Sequence, residues 1–286
     1  MFHLESAGLR VSILDPVADR KHIGSRYCAG GYIWQVTDNG KGPLLAGPQY
    51  PDPDPKPFNG QGLPEAFEIA LGSAEAKVGE AVWVIGVGKV KRDSPVKPFH
   101  VRDNLTVLDL ASWKTSQAGA MLTMTSRQSF RDWDLHLEKR TTLKGRTLIS
   151  TTLVKNLGKA DAPIRWFAHP FLPHAGFACG ELSVECAFPT WVPVAGGFRF
   201  NPKGGLERNP DHDWKAGCYQ LLNVPFGYPL DIRQKHPALG EVKIECRFPV
   251  AFMPLWANEY TLSFEPYYHT IVPPGGQTEW SIRYGF

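Results

Sequence analysis

Hydrophobic and polar residues alternate with a period of two along most of the chain, which is the pattern of β-strands with one buried face. In residues 242–248 the apolar side chains of Val, Ile, Cys and Phe alternate with three charged residues. Other segments alternate in the same way: 32–36, 105–110, 121–125, 135–141, 148–154, 164–168, 182–186, 260–265 and 280–284. Turn residues separate these segments, and the Lys144-Gly145 turn predicts a hairpin from 135–141 and 148–154.

Two segments depart from this alternation. Residues 64–71 begin with proline and are bounded by glycines, which predicts at most two turns of helix. Residues 44–63 are rich in proline and have almost no apolar periodicity, which predicts a long loop near a binding site. Many short strands with Gly and Pro turns predict an all-β fold, a large antiparallel β-sandwich, with residues 1–286 as one domain.

Composition narrows the class of protein. The 286 residues include 28 Gly and 25 Pro, too many helix breakers for a helical bundle, while 12% aromatic residues argue against disorder. The 31 basic and 28 acidic residues nearly balance, and no long basic run is present, so we expect a neutral, soluble small-molecule partner rather than a polyanion such as a nucleic acid. The sequence has no apolar stretch of the ~20 residues that span a bilayer and no secretory signal pattern, so we expect no membrane partner and a cytoplasmic location.

The cysteines predict neither a metal site nor a disulfide framework. The chain has five cysteines, which are widely spaced and include no C-x-x-C pair: Cys28, Cys179, Cys186, Cys218 and Cys246. Zinc and redox motifs need closer pairs, so buried reduced thiols are the favoured interpretation. We expect no metal and no cofactor.

Two residues are the strongest candidates for chemistry. His169 and Glu265 each end an apolar strand, and each is followed by a proline that holds it extended. Strand alternation places Arg165 and Phe167 on the same face as His169, and Ser263 on the same face as Glu265. Either residue alone is weak evidence for catalysis, because an isolated histidine or a strand-end glutamate usually has a structural role.

The order of the segments resembles the aldose 1-epimerase (galactose mutarotase) superfamily, especially its divergent bacterial members. The resemblance is carried by the hairpin within 135–154, the Asn-Leu-Gly turn at 156–158, the His-Pro-Phe at 169–171 and the Phe-Glu-Pro at 264–266 with the closing strand. A Gly-rich strand at 30–36 adds to it. The resemblance implies a β-sandwich with a sugar groove, and an isomerase that interconverts the α and β anomers of an aldose, with Glu265 as general base and His169 as general acid.

That chemistry suits these residue types. Ring opening needs the C1 hydroxyl to lose a proton while the ring oxygen gains one, from a base and an acid on opposite sides of the C1–O5 bond. Each proton transfer can contribute roughly 10²–10⁴-fold, and burial raises the pKa of a glutamate toward neutrality. Trp166, Trp191 and Trp256 are candidate stacking platforms for the sugar, with core packing as the alternative.

The sequence also departs from the family pattern. Mutarotases carry an arginine and a histidine in an N-terminal loop that ends in H-G-G, and no H-G-G is present here. We expect Gln61 or Glu65, in the corresponding region, to contact the sugar instead. Arg165 is a further substrate-binding candidate, and Asp213 is the nearest counterpart of the family's ligand aspartate.

Two alternatives to an aldose 1-epimerase stay open. One is a carbohydrate-binding protein without turnover, which the missing N-terminal histidine would suit. The other is a sugar-phosphate (hexose 6-phosphate) 1-epimerase, which needs basic side chains at the rim of the groove. The nearest basic residues in sequence are Arg26, Lys89 and Arg92. The separation of Glu265 and His169 distinguishes the enzyme from the binding protein.

Overall fold

The strands dominate the structure, a computed structural model that describes residues 1–176, 178–184, 196–200, 205–222, 224 and 226–286. In these ranges the strands are β1 (Phe2–Ser6), β2 (Leu9–Ile13), β3 (Ile33–Asp38), β4 (Gly42–Pro43), β5 (Glu65–Phe67), β6 (Ala70–Leu71), β7 (Ala81–Val84), β8 (Gly88–Lys91), β9 (Val107–Leu110), β10 (Lys114–Ala118), β11 (Met121–Phe130), β12 (Trp133–Lys144), β13 (Thr147–Asn156), β14 (Ala162–Ala168), β15 (Leu172–Pro173), β16 (Ala178–Val184), β17 (Phe198–Phe200), β18 (Leu206–Arg208), β19 (Cys218–Leu222), β20 (Tyr228–His236), β21 (Gly240–Val250), β22 (Met253–Ala257), β23 (Thr261–Phe264), β24 (Tyr267–Val272) and β25 (Gln277–Gly285). Two 3₁₀ turns cover Arg20–His22 and Val101–Asp103.

The described strands form one large sheet and four small ones, with antiparallel pairing. The large sheet has ten strands in the order β10-β11-β12-β13-β25-β21-β20-β16-β18-β17. The small sheets are β1-β2-β3-β4, β6-β7-β8-β9, β24-β14-β5 and β15-β23-β22-β19. The predicted all-β fold with large antiparallel sheets is confirmed.

The alternating segments become strands because alternation separates a core face from an outer face. In β21, Val242, Ile244 and Cys246 are fully buried, while the charged residues between them point outward. The predicted hairpin is β12 and β13, whose pairing closes with Lys144 opposite Thr147. A continuous hydrophobic core joins the inner face of the ten-stranded sheet to side chains of the small sheets.

The predicted helix over residues 64–71 is wrong. This segment forms β5 and β6 instead, with Phe67 opposite Trp166 and Ala70 opposite Val84. Its apolar side chains are buried on sheet partners, so tertiary pairing overrides the local helix signal. The predicted loop is confirmed, since residues 44–63 contain no strand or helix.

The described cysteines, Cys28, Cys179, Cys218 and Cys246, form no disulfide with one another, and Cys28, Cys179 and Cys246 are buried. Cys186 lies outside the described residues. Among the residues described, no helix has the length and apolar character needed to cross a bilayer.

Candidate active site

The chain crosses twice between the same two small sheets, and a proline marks each crossing. β14 leads through His169 and Pro170 into β15, and β23 leads through Glu265 and Pro266 into β24. The two paths keep one antiparallel register, with Phe167 opposite Tyr267 before the break and Leu172 opposite Leu262 after it. This register brings His169 directly opposite Glu265.

The backbone hydrogen bonds explain why these two side chains approach. The N–H of His169 donates to the Pro64 carbonyl, at 2.9 Å, and the N–H of Glu265 donates to the Pro254 carbonyl, also at 2.9 Å. Both amides therefore point away from each other, and His169 and Glu265 form a non-hydrogen-bonded cross-strand pair, the kind with the closer side chains. The following prolines have no N–H, which removes ladder donors beside the pair.

The pair itself is tight and incompletely bonded. His169 Nε2 lies 3.0 Å from Glu265 Oε1, and the two residues are 2% and 3% exposed. The two atoms are not aligned as a hydrogen bond, and Oε1 has no hydrogen-bond partner in the described part of the chain. A buried polar atom without a partner costs about 1–3 kcal/mol, so such an atom is a candidate for ligand contact.

Burial sets the protonation of both groups. It raises the pKa of Glu265 to about 8, with Arg26 acting to lower it and Glu68 to raise it. Burial also lowers the pKa of His169 well below its usual value, and the positive charge of Arg26 adds to this. At neutral pH these pKa shifts leave the proton on the Glu265 carboxyl group and the His169 imidazole neutral, so the pair holds one titratable proton.

Ser263 orients the imidazole. Its Oγ is 2.9 Å from His169 Nδ1 in a buried hydrogen bond. Ser263 lies two residues before Glu265 on the same face, as the alternation predicts, so one strand supplies both the carboxyl group and the hydroxyl that fixes the ring. The ring is further enclosed by Phe171 and Trp256, with centroid separations of 4.2 and 5.9 Å.

Glu265 opens onto a cavity of about 440 Å³, within the size range of small-molecule sites. Aromatic side chains form much of the lining: Phe58, Phe67, Phe167, Tyr219, Trp256 and Tyr267. Phe167 and Tyr267 stack face to face with their centroids 4.6 Å apart, and Phe252 covers the other face of Tyr267 at 4.0 Å. Trp256 is half-buried and Tyr219 is exposed, and aromatic rings that stay accessible suit the apolar side of a sugar ring.

Polar groups reach the same cavity from two loops. Arg26 follows the first 3₁₀ turn, and His100 and Arg102 lie around the second. Glu68, just after β5, also lines the cavity and accepts a hydrogen bond of 3.4 Å from Arg165. In the described ranges no three His, Cys, Asp or Glu side chains converge as metal ligands would.

The sequence candidates divide between this cavity and elsewhere. Trp256 lines the cavity, whereas Arg165 does not line it and only contacts the lining residue Glu68, at 3.4 Å. Trp166 is 1% exposed, and its indole N–H donates 3.0 Å to Glu65 Oε2, so its prediction as a sugar platform is replaced by core packing. Trp191 lies outside the described residues.

Glu65 belongs to the interior rather than the cavity. Its carboxylate accepts hydrogen bonds from Lys139 and, at 2.5 Å, from Ser150, and Lys139 also bonds to Thr152. Lys139 is 1% exposed, and this buried ion pair leaves no Glu65 oxygen free for a ligand. Glu65 therefore does not take the place predicted for it as a sugar ligand.

Gln61 and Asp213 also lie away from the cavity lining. The backbone N–H of Gln61 donates 3.2 Å to the Tyr32 hydroxyl. Asp213 is exposed, and its carboxylate accepts a bond from the Lys215 N–H within its own loop. The predicted ligand roles of these two residues have no support in the described geometry.

Sequence reasoning missed most of the polar rim. Arg26 was a candidate only for a phosphate-binding rim, and His100, Arg102 and Glu68 were not singled out. These residues lie on loops or at strand ends, where no periodicity shows which way a side chain points. The clearest usable signal was Arg26 beside an aromatic residue, a pairing typical of guanidinium stacking.

Solved structures share this architecture across nearly the whole chain. A galactose mutarotase related enzyme from Lactobacillus acidophilus matches with a TM-score of 0.61 and 10% identity, over 99% of this chain and 96% of that one. A galactose mutarotase-like protein from Lactobacillus casei matches at 0.56 and 12% identity, over 100% and 99% of the two chains. Another from Clostridium acetobutylicum matches at 0.54 and 12%, over 99% and 93%.

Sequence comparison alone finds less. No protein-family model matches the chain, and no curated protein matches it. At 10–12% identity the similarity to these solved structures shows the fold and does not show the activity. They confirm the fold that the sequence resemblance implied: the chain has the galactose mutarotase-like fold.

Proposed function

We propose that this protein interconverts the α and β anomers of an aldose by acid and base catalysis, as an aldose 1-epimerase. The observation that carries the proposal is the 3.0 Å contact between His169 Nε2 and Glu265 Oε1, in which Glu265 lines an aromatic cavity and the buried His169 does not line it. A carboxyl group and an imidazole that share one proton can remove a proton at one oxygen and deliver one at another. Ring opening of a hemiacetal requires that combination and no net change in protonation.

In the proposed reaction the proton held by Glu265 first passes to His169 Nε2 across their 3.0 Å contact. The Glu265 carboxylate then accepts the proton of the C1 hydroxyl while the His169 imidazolium donates a proton to the ring oxygen. The C1–O5 bond breaks and the free aldehyde forms. Rotation about C1–C2 presents the other carbonyl face, and reclosure with the reverse proton transfers gives the other anomer. Because O1 and O5 are both attached to C1, a side-by-side acid and base can serve them, in place of the opposite-side arrangement predicted from sequence.

The proposal is supported by what surrounds the pair. Ser263 holds the imidazole through Nδ1, so Nε2 is the nitrogen presented to Glu265. Phe167, Tyr267 and Trp256 line the cavity with aromatic rings, and Trp256 lies 5.9 Å from the imidazole in a T-shaped contact. The fold comparisons agree with this reading, since the matched proteins are described as galactose mutarotase related or mutarotase-like.

The test is anomer exchange measured by NMR over a panel of aldoses. The protein should accelerate exchange of at least one aldose above buffer, and Glu265→Gln should lower that rate by roughly 10²–10⁴-fold. Glu241→Gln is the matched control, because Glu241 is a surface carboxylate paired with Lys235 in the large sheet. Sugar binding without exchange for any aldose would overturn the proposal and favour a carbohydrate-binding protein.

A further inference from the structure

The charges that line the cavity do not balance. Arg26 and Arg102 bring two guanidinium groups, and Glu68 and Glu265 bring two carboxyl groups. Glu68 is already paired with Arg165, at 3.4 Å. Glu265 is buried, which favours its neutral form. The cavity therefore has an excess of positive charge when it is empty.

Arg26 is the clearest case of an unpaired cation. No carboxylate in the described part of the chain lies within ion-pair distance of its guanidinium. The group is half-buried and is held by the rings of Tyr27 and Phe58, with 4.8 and 5.0 Å to the centroids, and by a long 3.5 Å bond to the Phe58 carbonyl. Stacking occupies the faces of a guanidinium and leaves N–H groups at its edge for another acceptor.

The second loop adds donors of the same kind. Arg102 is exposed, and its contact with Asp103 is a loose one of 3.6 Å between neighbours in sequence. The Nδ1 atom of His100 accepts the Arg102 backbone N–H at 3.0 Å, so the neutral ring carries its proton on Nε2, as a donor. Two guanidinium groups and an imidazole donor thus line one cavity with Glu265.

We propose that the substrate is an anionic sugar, whose carboxylate or phosphate group is bound by Arg26 with Arg102. This inference rests on the proposed function, because it names the substrate class of the same cavity. A neutral sugar that displaced water from the half-buried Arg26 would leave its charge without a counter-ion, whereas an anionic group would supply one. A guanidinium matches a carboxylate or a phosphate with paired N–H donors, and charge-assisted bonds of this kind are about twice as strong as neutral ones.

The experiment compares sugars that differ only at C6. One hexose is used in three forms, with a hydroxymethyl, a carboxylate and a phosphate at C6, and dissociation constants are measured by calorimetry at two salt concentrations. A charge-assisted contact predicts that at least one charged form binds about tenfold or more tightly than the neutral form. The preference should weaken at high salt, because salt screens partly exposed charges.

Variants identify the residues responsible. Arg26→Met and Arg102→Met should each reduce the ratio of charged to neutral affinity, and Arg26→Lys should retain part of it. Lys89→Met is the control, since it removes one positive charge from an exposed side chain that does not line this cavity. Arg102 is exposed, so its variant is expected to fold even if the half-buried Arg26 position does not tolerate methionine.

The outcomes separate the two proposals. Equal affinity for neutral and charged forms, or a charge preference that both arginine variants keep, would overturn the anionic substrate. If the neutral hexose undergoes anomer exchange in that case, the epimerase proposal stands. If charged sugars bind with the expected preference but no anomer exchange occurs, the anion site stands and the epimerase proposal falls. The carboxylate and phosphate forms distinguish the two sources of negative charge.

Discussion

Two buried glutamates with basic partners lie on opposite sides of the same small sheet, and they are built differently. Glu65 faces the interior, where Lys139, Ser150 and the Trp166 indole all donate to its carboxylate. Glu265 faces the cavity beside His169, and its Oε1 atom has no hydrogen-bond partner among the described residues. Both are at most 5% exposed.

The difference lies in hydrogen bonding and in the charge it stabilises, rather than in burial. A buried ion pair whose polar atoms are all hydrogen-bonded fixes the structure around it. Removal of one partner of such a pair leaves a buried charge uncompensated. A buried carboxyl group that lacks some of its hydrogen bonds has its pKa raised toward neutrality by burial. It also keeps an oxygen that can contact a ligand. The first arrangement is structural, and the second is the arrangement expected of a catalytic group.

The largest expected effect is the loss of the interior partner. Lys139→Met should lower the free energy of unfolding by about 3–5 kcal/mol, because Glu65 would stay buried without its cation. Chemical denaturation measures this. The double variant Lys139→Met with Glu65→Gln should recover much of the loss. If the Lys139→Met protein were as stable as the parent, the Lys139–Glu65 pair would not have the structural role that distinguishes it here from the His169–Glu265 pair.

The pH dependence of stability should reveal the cavity carboxyl group. The pKa of Glu265 is raised to about 8, so between its ordinary value of 4.5 and 8 the folded state holds a proton that the unfolded state has released. Stability then falls with rising pH by about 1.4 kcal/mol per unit from this group, and levels above 8. Glu265→Gln removes this term, so denaturation from pH 6 to 9 should show a stability advantage of the variant that grows up to about pH 8. If the free energies of unfolding of the parent and of Glu265→Gln changed with pH in parallel, the raised pKa of Glu265 would be contradicted.

The rate of anomer exchange should depend on the single proton that the pair holds. With Glu265 as base and His169 as acid, the reactive form has the same proton count as the resting neutral pair, so the rate should be flat through neutral pH. Above about 8 the pair loses this proton, and the rate should fall by about tenfold per pH unit. Because Arg26 lowers the pKa of Glu265, Arg26→Met should move this fall to higher pH. A rate that instead rises up to pH 8 would show that His169 is not the acid.

The smallest expected effect is at Ser263. Ser263→Ala removes one buried hydrogen bond to His169, which should cost about 1 kcal/mol of stability and lower the exchange rate by less than about tenfold. Ser263→Thr keeps the hydroxyl and should retain more activity than Ser263→Ala. Denaturation and NMR exchange on the same samples separate the two effects. Equal rates in all three proteins would exclude an orienting role for Ser263.

Much of the fold was accessible from the sequence, because alternation reports burial directly. The hairpin of β12 and β13 and the alternating strand β21 follow from their own residues. His169 and Glu265 could be singled out by the proline after each strand. Their mutual distance could not be derived from the residues alone, since it depends on the pairing of strands almost a hundred residues apart.

Other residues show why the hydrophobic and polar pattern of the sequence was insufficient to predict the rest of the site. Glu65 and Glu265 look similar in sequence, and only the tertiary position of Lys139, 74 residues beyond Glu65, separates their roles. The short strands at residues 64–71 carry a local helix signal that sheet pairing overrides. Arg26 and His100 reach the cavity from loops, whose course is set by contacts distant in sequence.

The break in the sheet at the two prolines has a further consequence for how such a site can diversify. The acid and base candidates are attached to adjacent strands at one fixed step of a shared register. Their spacing is therefore a property of the backbone frame and is insensitive to insertions or exchanges in the surrounding loops. The groups that would select the sugar, Arg26 and Arg102, lie on loops that can vary in length and composition. Replacement of these loops can thus change what the cavity binds while the His169–Glu265 pair keeps its geometry.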